Sequence, residues 1–421
     1  MAKRRHRKFY RGPSLTAHLA VQPGDRLQLR LGEMNEAGEA TATLDGALVS
    51  VAGGIPGEMV TAEVLRVFPD RVAAKVVEVM EASSDRGEAP CPYFLVCTGC
   101  QWQHVSYDRQ LSLKRERVAA ELRKWPALAQ AEVLPALPSP RQLGYRNHAR
   151  FTARRHEGHL GFVNAATRQF VRIERCLLMT DRINETLAAL QDRMQGQTQV
   201  SVRAALNGGS MLVQPRLTSS ELGLQSGQKH YEECLDGLTF RIAASSFFQV
   251  NTEQISRVAG VLREFLGLTG RETVVDAYSG VGTFAVLLAP HAGRVIAIEE
   301  SASAVTDARL NAAGLDNVEF MEARTEEGLA ELSGRVDAVV LDPPRRGCSE
   351  AVLEALCRLR PRRVALVSCE PSAMARDLAR LCEQTFILER VQPVDMFPQT
   401  RHVEAVAELR LTEQDERNGD G

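Results

Sequence analysis

The stretch Val364-Ala-Leu-Val-Ser-Cys369-Glu-Pro ends an apolar run on a thiol. If the run is a buried sheet strand, its carboxyl end opens onto the crevice where open α/β sheets bind ligands, and a cysteine there can act as a covalent nucleophile. The plainer reading is a small hydrophobe that closes a strand, since free cysteines pack well in cores. Three carboxylates bear on the choice. Asp276 precedes the glycine turn Ala-Tyr278-Ser-Gly280-Val-Gly282, Glu299 closes the next apolar run, and Asp342 closes a third before Pro-Pro-Arg. A glycine turn lets a ligand approach the backbone, and a carboxylate ending the following strand can grip both hydroxyls of a ribose. The third glycine of the dinucleotide fingerprint is absent. Tyr278 offers a ring or a hydroxyl above the turn. Asp276, Glu299, Asp342 and Cys369 thus fall at the carboxyl ends of four predicted parallel strands, a coincidence that periodicity does not require, and they are expected to line one crevice.

A second set of thiols has metal-ligand spacing. Cys91, Cys97 and Cys100 form C-x5-C-x2-C, with Trp102 and His104 just after, and Cys176 lies far along the chain in Ile173-Glu-Arg-Cys-Leu. Three clustered thiolates and a distant fourth suit zinc or an iron–sulfur cluster, and spacing alone does not choose. Cys234, Cys348, Cys357 and Cys382 carry no such pattern and read as packing residues.

The elements that position these residues follow from pattern. From about Thr252 onward strands and helices alternate as a doubly wound sheet requires, with strands expected at Thr273–Asp276, Arg294–Glu299, Val318–Met321, Val336–Asp342 and Arg363–Cys369. A closing pair is expected at Phe386–Val391 and Val403–Leu411. Ser301 should cap the helix after the second strand, and Gly314 should stop it. Earlier, Arg26–Leu31, Ala47–Val51, Met59–Val64 and Val72–Val77 alternate around the turn Gly53-Gly-Ile-Pro-Gly57 and read as a small barrel, an architecture that commonly faces oligonucleotides. A helix over 107–124 should bury Leu111, Val118 and Leu122 on one face. Strand-like runs at 150–153, 199–203 and 210–214 make the middle of the chain mixed. The expected domains are 16–80, a β-barrel; 90–245, a mixed α+β unit with the cysteines; and 246–412, the doubly wound sheet.

The chain has 421 residues, 44% apolar and 25% charged, with a net charge of −2, which excludes a uniformly basic polyanion binder. Positive charge is instead local. Residues 1–11 carry six Lys or Arg, and Arg141 to Arg175 carries eight Arg against Glu157 and Glu174, which suits phosphate contacts. No apolar run approaches a membrane span and the amino terminus lacks a signal-peptide core, so a cytoplasmic protein is expected, with no membrane partner. In a reducing compartment nine cysteines do not imply a disulfide framework. The polar residues 413–421 are expected to be disordered.

Taken in order, Phe247-Phe-Gln249-Val-Asn251, the Asp276 loop, Asp342-Pro-Pro-Arg-Arg-Gly347, Ser368-Cys369-Glu-Pro371 and Phe397-Pro-Gln-Thr-Arg-His-Val-Glu404 resemble the class I methyltransferases that use S-adenosylmethionine. More narrowly they resemble the RNA uracil-5-methyltransferases, from the barrel through Glu404. The resemblance implies that Gln249, Tyr278, Glu299 and Asp342 hold the methyl donor, that Cys369 adds to uracil, and that Glu404 removes a proton. It further implies a [4Fe-4S] cluster on Cys91, Cys97, Cys100 and Cys176, a TRAM-like barrel and structured RNA as substrate; a monomer with no obligate protein partner is expected. Of the two RNA classes that such enzymes modify, the barrel and cysteines together favour 23S ribosomal RNA over the T loop of transfer RNA. Glu370, where the family often has Asn, and Gln399, where His is familiar, depart from the pattern. Methylation of an exocyclic amine, with Asp342 orienting the nitrogen, needs no thiol, and a non-catalytic RNA-binding protein needs neither Cys369 nor Glu404.

Overall fold

The computed structural model describes residues 12–217, 223–383 and 385–412, so the basic run at 1–11 and the polar run at 413–421 lie outside the described residues. These residues divide into two compact units. One comprises the chain up to Gln110 with Asn164–Gln169 and Gln399–Arg401; the other holds the rest.

The first unit is built on strands β1 (Arg26–Arg30), β2 (Ala40–Leu44), β3 (Ala47–Ala52), β4 (Met59–Val67) and β5 (Val72–Glu81), in the order β1-β4-β5-β3-β2. Alternation puts Val49, Val51, Val60, Ala62, Val64, Val72 and Ala74 into one core. Hydrogen bonds from Gly32 N to Thr41 O (2.6 Å) and from Thr41 N to Glu33 O (3.0 Å) join the two outer strands and close the barrel. Strand β2, Ala-Thr-Ala-Thr-Leu, has too little apolar bulk for its alternation to show in the sequence. The turn after β3 is pinned by Glu58, fully buried, whose carboxylate accepts from Ile55 N (2.9 Å), Ser83 N (3.1 Å) and the Arg86 guanidinium. Those bonds offset its burial and hold its carboxyl below the usual range.

Helix α1 (Tyr107–Arg123) crosses into the second unit. There the mixed sheet takes in β6 (Glu132–Val133). A separate antiparallel sheet contains β7 (His148–Ala153), β8 (Leu160–Val163) and β9 (Phe170–Arg172), followed in the chain by α2 (Asp181–Leu190), then β10 (Gln199–Ala204) and β11 (Met211–Gln214), in the order β11-β10-β7-β8-β9. A hairpin, β12 (His230–Leu235) and β13 (Leu238–Ala243), precedes α3 (Thr252–Leu266). The short strands β8 and β9 and this hairpin were not expected from the sequence.

The remaining elements are β14 (Thr273–Ala277), α4 (Thr283–Leu288), β15 (Arg294–Glu299), α5 (Ala302–Asn311), β16 (Val318–Glu322), α6 (Thr325–Glu331), β17 (Ala338–Leu341), α7 (Glu350–Leu359), β18 (Arg363–Ser368), α8 (Pro371–Leu381), β19 (Phe386–Val394) and β20 (Glu404–Leu411). They form an eight-stranded sheet with the order β16-β15-β14-β17-β18-β20-β19-β6. Strands β14 to β18 are parallel, and β20 runs antiparallel between β18 and β19. Both faces are covered, which is why these strands read as continuous apolar runs. Ala338 and Val340 enter one core, Val339 and Leu341 the other; Val118 and Leu122 of α1 join the second, whereas Leu111 stays half-exposed. Cys348 is buried in that second core and Cys357 and Cys382 pack against it, as expected of packing residues.

One local expectation needs correction. Ser301 does precede α5, but its side chain makes no cap bond; its N–H instead donates to Glu299 Oε1 (2.8 Å), and Gly314 lies in the turn beyond the helix end at Asn311. Asn251 precedes α3 without capping it, since its amide donates to Ser139 Oγ (3.1 Å) and Met396 O (3.3 Å).

Candidate active site

The parallel strands deliver the predicted residues to one edge. Asp276 lies within β14, buried at 1% exposure, and Oδ2 accepts from Ala285 N in α4 (2.8 Å) while Oδ1 has no partner among the described residues. Burial pushes its carboxyl up to about 8, with the charges of Asp342 and Glu299 adding to the shift. A carboxyl so placed keeps its proton at neutral pH unless a cation arrives. Glu299, at the end of β15, is tied by both oxygens to backbone, accepting from Gly280 N (3.0 Å) and Ser301 N (2.8 Å). It therefore clips the glycine turn to its own strand, and each oxygen keeps a lone pair for another donor. Gly282 takes a left-handed φ of 78°, and a Cβ there would stand 3.2 Å from Ala308 Cβ. Tyr278 also has a positive φ, 66°, strained for a non-glycine residue. Burial raises its hydroxyl, with Cys348 and Glu326 nearby.

Cys369 and Glu404 come together through strand register. Antiparallel pairing sets Ser368 of β18 opposite Ala405 of β20, so Cys369, which follows Ser368, and Glu404, which precedes Ala405, lie at the same sheet edge. Glu404 is 3% exposed and its carboxyl is raised well above the usual range by burial, then by Asp342, against the opposing pull of Arg345. Cys369 is half-buried; burial pushes its thiol up to about 11, Glu404 and Asp342 add to this, and Arg345 acts against it through charge and a hydrogen bond. Asp342 is raised by burial. Thiol, two carboxyls and one guanidinium thus face one another.

Arg345 is the residue that the sequence reading missed. Its signal was present, a cation three positions beyond a strand-end carboxylate. The loop that carries it is fixed from α8: Asp377 Oδ2 accepts from Cys348 N (2.7 Å) and Arg376 Nη2 donates to Arg346 O (2.8 Å). Phe247 was quoted only as part of a motif, yet it is 70% exposed on the segment leading to Gln249. That segment is held by Asn147, whose amide donates to Gln249 O (3.0 Å) and Thr252 Oγ1 (2.9 Å).

The two departures have partners. Glu370 precedes α8, where Oε1 meets Arg117 Nη2 (3.4 Å) and Ser372 Oγ (3.3 Å). Gln399 exchanges hydrogen bonds with Gln110, N to Oε1 and Nε2 to Oε1, both 3.0 Å.

The cysteine motif folds as a tight loop. Phe94 N donates to Cys91 O (3.0 Å), Cys97 N to Tyr93 O (2.8 Å), and Leu95 and Thr98 take left-handed φ values of 64° and 60°. Cys176 is fixed in the other unit by Asn184, which bonds both its N–H (2.8 Å) and its carbonyl (3.1 Å). All four thiols are half-exposed, and thiol chemistry suits iron–sulfur or zinc. Among the described residues, however, no three His, Cys, Asp or Glu side chains are arranged to hold a metal ion. No helix among them is long and apolar enough to cross a membrane.

Comparison with known proteins gives consistent results. Residues 236–410 match the tRNA (Uracil-5-)-methyltransferase family. An uncharacterized RNA methyltransferase of Thermosynechococcus vestitus is 32% identical over 92% of this chain and 98% of its own length. One from Gloeobacter violaceus is 33% identical with the same two coverages. Among solved structures, the Pyrococcus abyssi tRNA (uracil-54, C5)-methyltransferase in complex with S-adenosyl-L-homocysteine superposes with a TM-score of 0.71, at 25% identity, over 91% of this chain and all of that one. Its class I methyltransferase fold is the fold of this chain's mixed sheet.

Proposed function

Since this chain belongs to the RNA uracil-5-methyltransferase family and methylates uracil carbon 5 in RNA with S-adenosylmethionine as donor, we propose that Cys369 is its nucleophile and Glu404 its base. The observation that carries the proposal is the β18–β20 register, which delivers both groups to one sheet edge beside Asp342 and Arg345. Carbon 5 of uracil is too weak a nucleophile to take a methyl group unaided. Addition of the Cys369 thiolate to carbon 6 moves an electron pair into an enolate with density at carbon 5. S-adenosylmethionine supplies an electrophilic methyl group. Once carbon 5 carries the methyl group, its hydrogen leaves as a proton to Glu404, and the electrons of that C–H bond expel the thiolate and restore the ring. A carboxyl raised by burial is the stronger base for that step.

Gln249, Tyr278, Glu299 and Asp342 are assigned to the donor. Glu299 has lone pairs left for ribose hydroxyls, and the acidic edge suits a sulfonium. The uracil must be unpaired or flipped outward to meet the thiol. Residues 16–80 are assigned as a TRAM-like RNA-contacting barrel, 90–245 as the central domain and 246–412 as the catalytic domain of a cytoplasmic monomer. Cys91, Cys97, Cys100 and Cys176 are assigned to a [4Fe-4S] cluster, with zinc the alternative; donor chemistry supports this, and iron and sulfide analysis of anaerobically purified protein tests it.

The RNA is assigned as 23S ribosomal RNA, because barrel and cysteine motif occur on one chain. A transfer RNA target is the second reading, favoured by the likeness to the Pyrococcus enzyme. Labelled donor, RNA from a strain lacking the protein, and mapping of the modified nucleotide decide between them. Cys369→Ala should abolish both turnover and covalent trapping by RNA containing 5-fluorouridine, with donor binding retained. Glu404→Gln should instead accumulate a protein–RNA adduct stable to denaturing gels. Methylation by Cys369→Ala would overturn the assignment.

A further inference from the structure

The eight arginines between Arg141 and Arg175 are not equivalent. Arg141 pairs with Glu253 (3.1 Å), Arg172 with Glu174 (2.6 Å) and Asp192 (2.7 Å), and Arg175 with Asp181 (2.7 Å). Arg154 lies over the Phe170 ring at 5.0 Å, and Arg155 donates to Gly196 O. Arg168, in the turn between β8 and β9, has no acidic partner among the described residues, and neither have Arg146 and Arg150.

Strand periodicity gathers these two onto one face. Ala149, Phe151 and Ala153 of β7 point into the core, so His148 and Arg150 point the other way, and Arg146 shares their phase two residues before the strand. The register sets His148 opposite Arg203 of β10 and Arg150 opposite Ser201, which adds a third guanidinium. Arg203 is held in place, donating to Ser246 O (2.7 Å) and Ala243 O (3.4 Å). His148 Nε2 lies 3.0 Å from Ser201 Oγ. Burial, then Arg203, Arg150 and Arg146, push the His148 imidazole down to about 3. The three guanidinium groups, with Arg203 buried over the Tyr231 ring at 5.8 Å, surround a neutral imidazole and a hydroxyl, a charge arrangement complementary to an anion. Arg203 also ties these residues to the segment that leads to Gln249, because Ser246, whose carbonyl it holds, immediately precedes the exposed Phe247.

We propose that Arg146, His148, Arg150 and Arg203 form a phosphate grip for the RNA backbone on the strand that enters the active site. The proposal rests on the RNA-methyltransferase reading and deepens it. The grip binds phosphate oxygens without reading bases, and so fixes the strand's register while the target uracil turns toward Cys369. Phe247, next to the Ser246 carbonyl that Arg203 holds, is exposed and offers a ring face for an unstacked base.

The test compares the wild type with Arg150→Gln, His148→Ala and, as a control, Arg172→Gln, whose charge is already paired. A single-stranded dodecauridylate is titrated at several salt concentrations by fluorescence anisotropy. Donor binding is followed separately to establish that each variant is folded. Arg150→Gln should weaken binding about 5- to 10-fold and reduce the slope of log affinity against log salt by about 0.7, the value for one lost single-strand phosphate contact. His148→Ala should weaken binding less and leave the slope near wild type, since a neutral imidazole releases no counterion. Arg172→Gln should change neither. Equal losses in Arg150→Gln and Arg172→Gln would reduce the effect to general charge and overturn the proposal, as would an unaltered slope in Arg150→Gln. Because the readout is binding, a product other than 5-methyluridine would defeat the functional reading and leave this result interpretable.

Discussion

At the scale of single residues, the site works against itself until substrate arrives. The buried carboxyls at 276 and 404 and the half-buried one at 342 all have raised proton affinities, and burial pushes the Cys369 thiol up to about 11. Arg345 is the group that opposes this, lowering both Cys369 and Glu404. Loss of its cation should therefore raise the thiol further, so that less thiolate is present at any given pH. Arg345→Met is expected to slow alkylation of Cys369 by iodoacetamide at pH 8 on the order of tenfold for each unit of rise, measured by mass spectrometry of the Cys369 peptide. For the wild type the same rate should climb with pH toward the thiol's own value. An unchanged rate in Arg345→Met would remove Arg345 from the chemistry. Cys369, Glu299 and Asp342 were legible in the sequence because each ends an apolar run, whereas Arg345 sits in a loop whose direction depends on Asp377 and Arg376 of α8, which no local pattern reveals.

At the scale of elements, the parallel strands were readable because both faces are covered, and β15 begins and ends where its apolar run does. The two-residue strand β6 was not, since it exists only by pairing with β19. The least visible device is a charge inside a helix. Lys114 of α1 is fully buried and bonds Asp395, also fully buried, and Phe397 O (3.0 Å). Asp395 directly follows Val394, the register partner of Glu404 on β19, so this ion pair fixes the strand end beside the proposed base. Sequence reading placed the apolar face of that helix but could not see a partner 281 positions away. Lys114→Met should destabilise the protein by about 3–5 kcal/mol, because it leaves Asp395 buried and uncompensated. Adding Asp395→Leu should restore much of the loss, and urea midpoints of the wild type, single and double variants would show it. A single variant as stable as wild type would mean that the pair contributes nothing.

At the scale of the whole molecule, the raised carboxyls tie folding to pH. The Asp276 carboxyl stands at about 8 in the fold, against 3.8 for an unperturbed aspartate, so between those values the native state holds a proton that the unfolded chain has released. Its contribution is complete below pH 3.8 and is lost as pH rises through 8. Without donor, the protein should lose stability across that window, and Asp276→Asn should flatten the loss. Urea midpoints at pH 5 and pH 8 test this, and parallel pH dependences in the two proteins would count against it. The position of β20 has a consequence for biosynthesis. The last described strand to leave the ribosome fits between two that precede it, so a nascent chain already carrying the proposed nucleophile lacks the strand that joins β18 to β19 and brings the proposed base. In an enzyme assembled in that order, release of a methylated base by the proposed chemistry waits on the final insertion, which brings Glu404 beside Cys369.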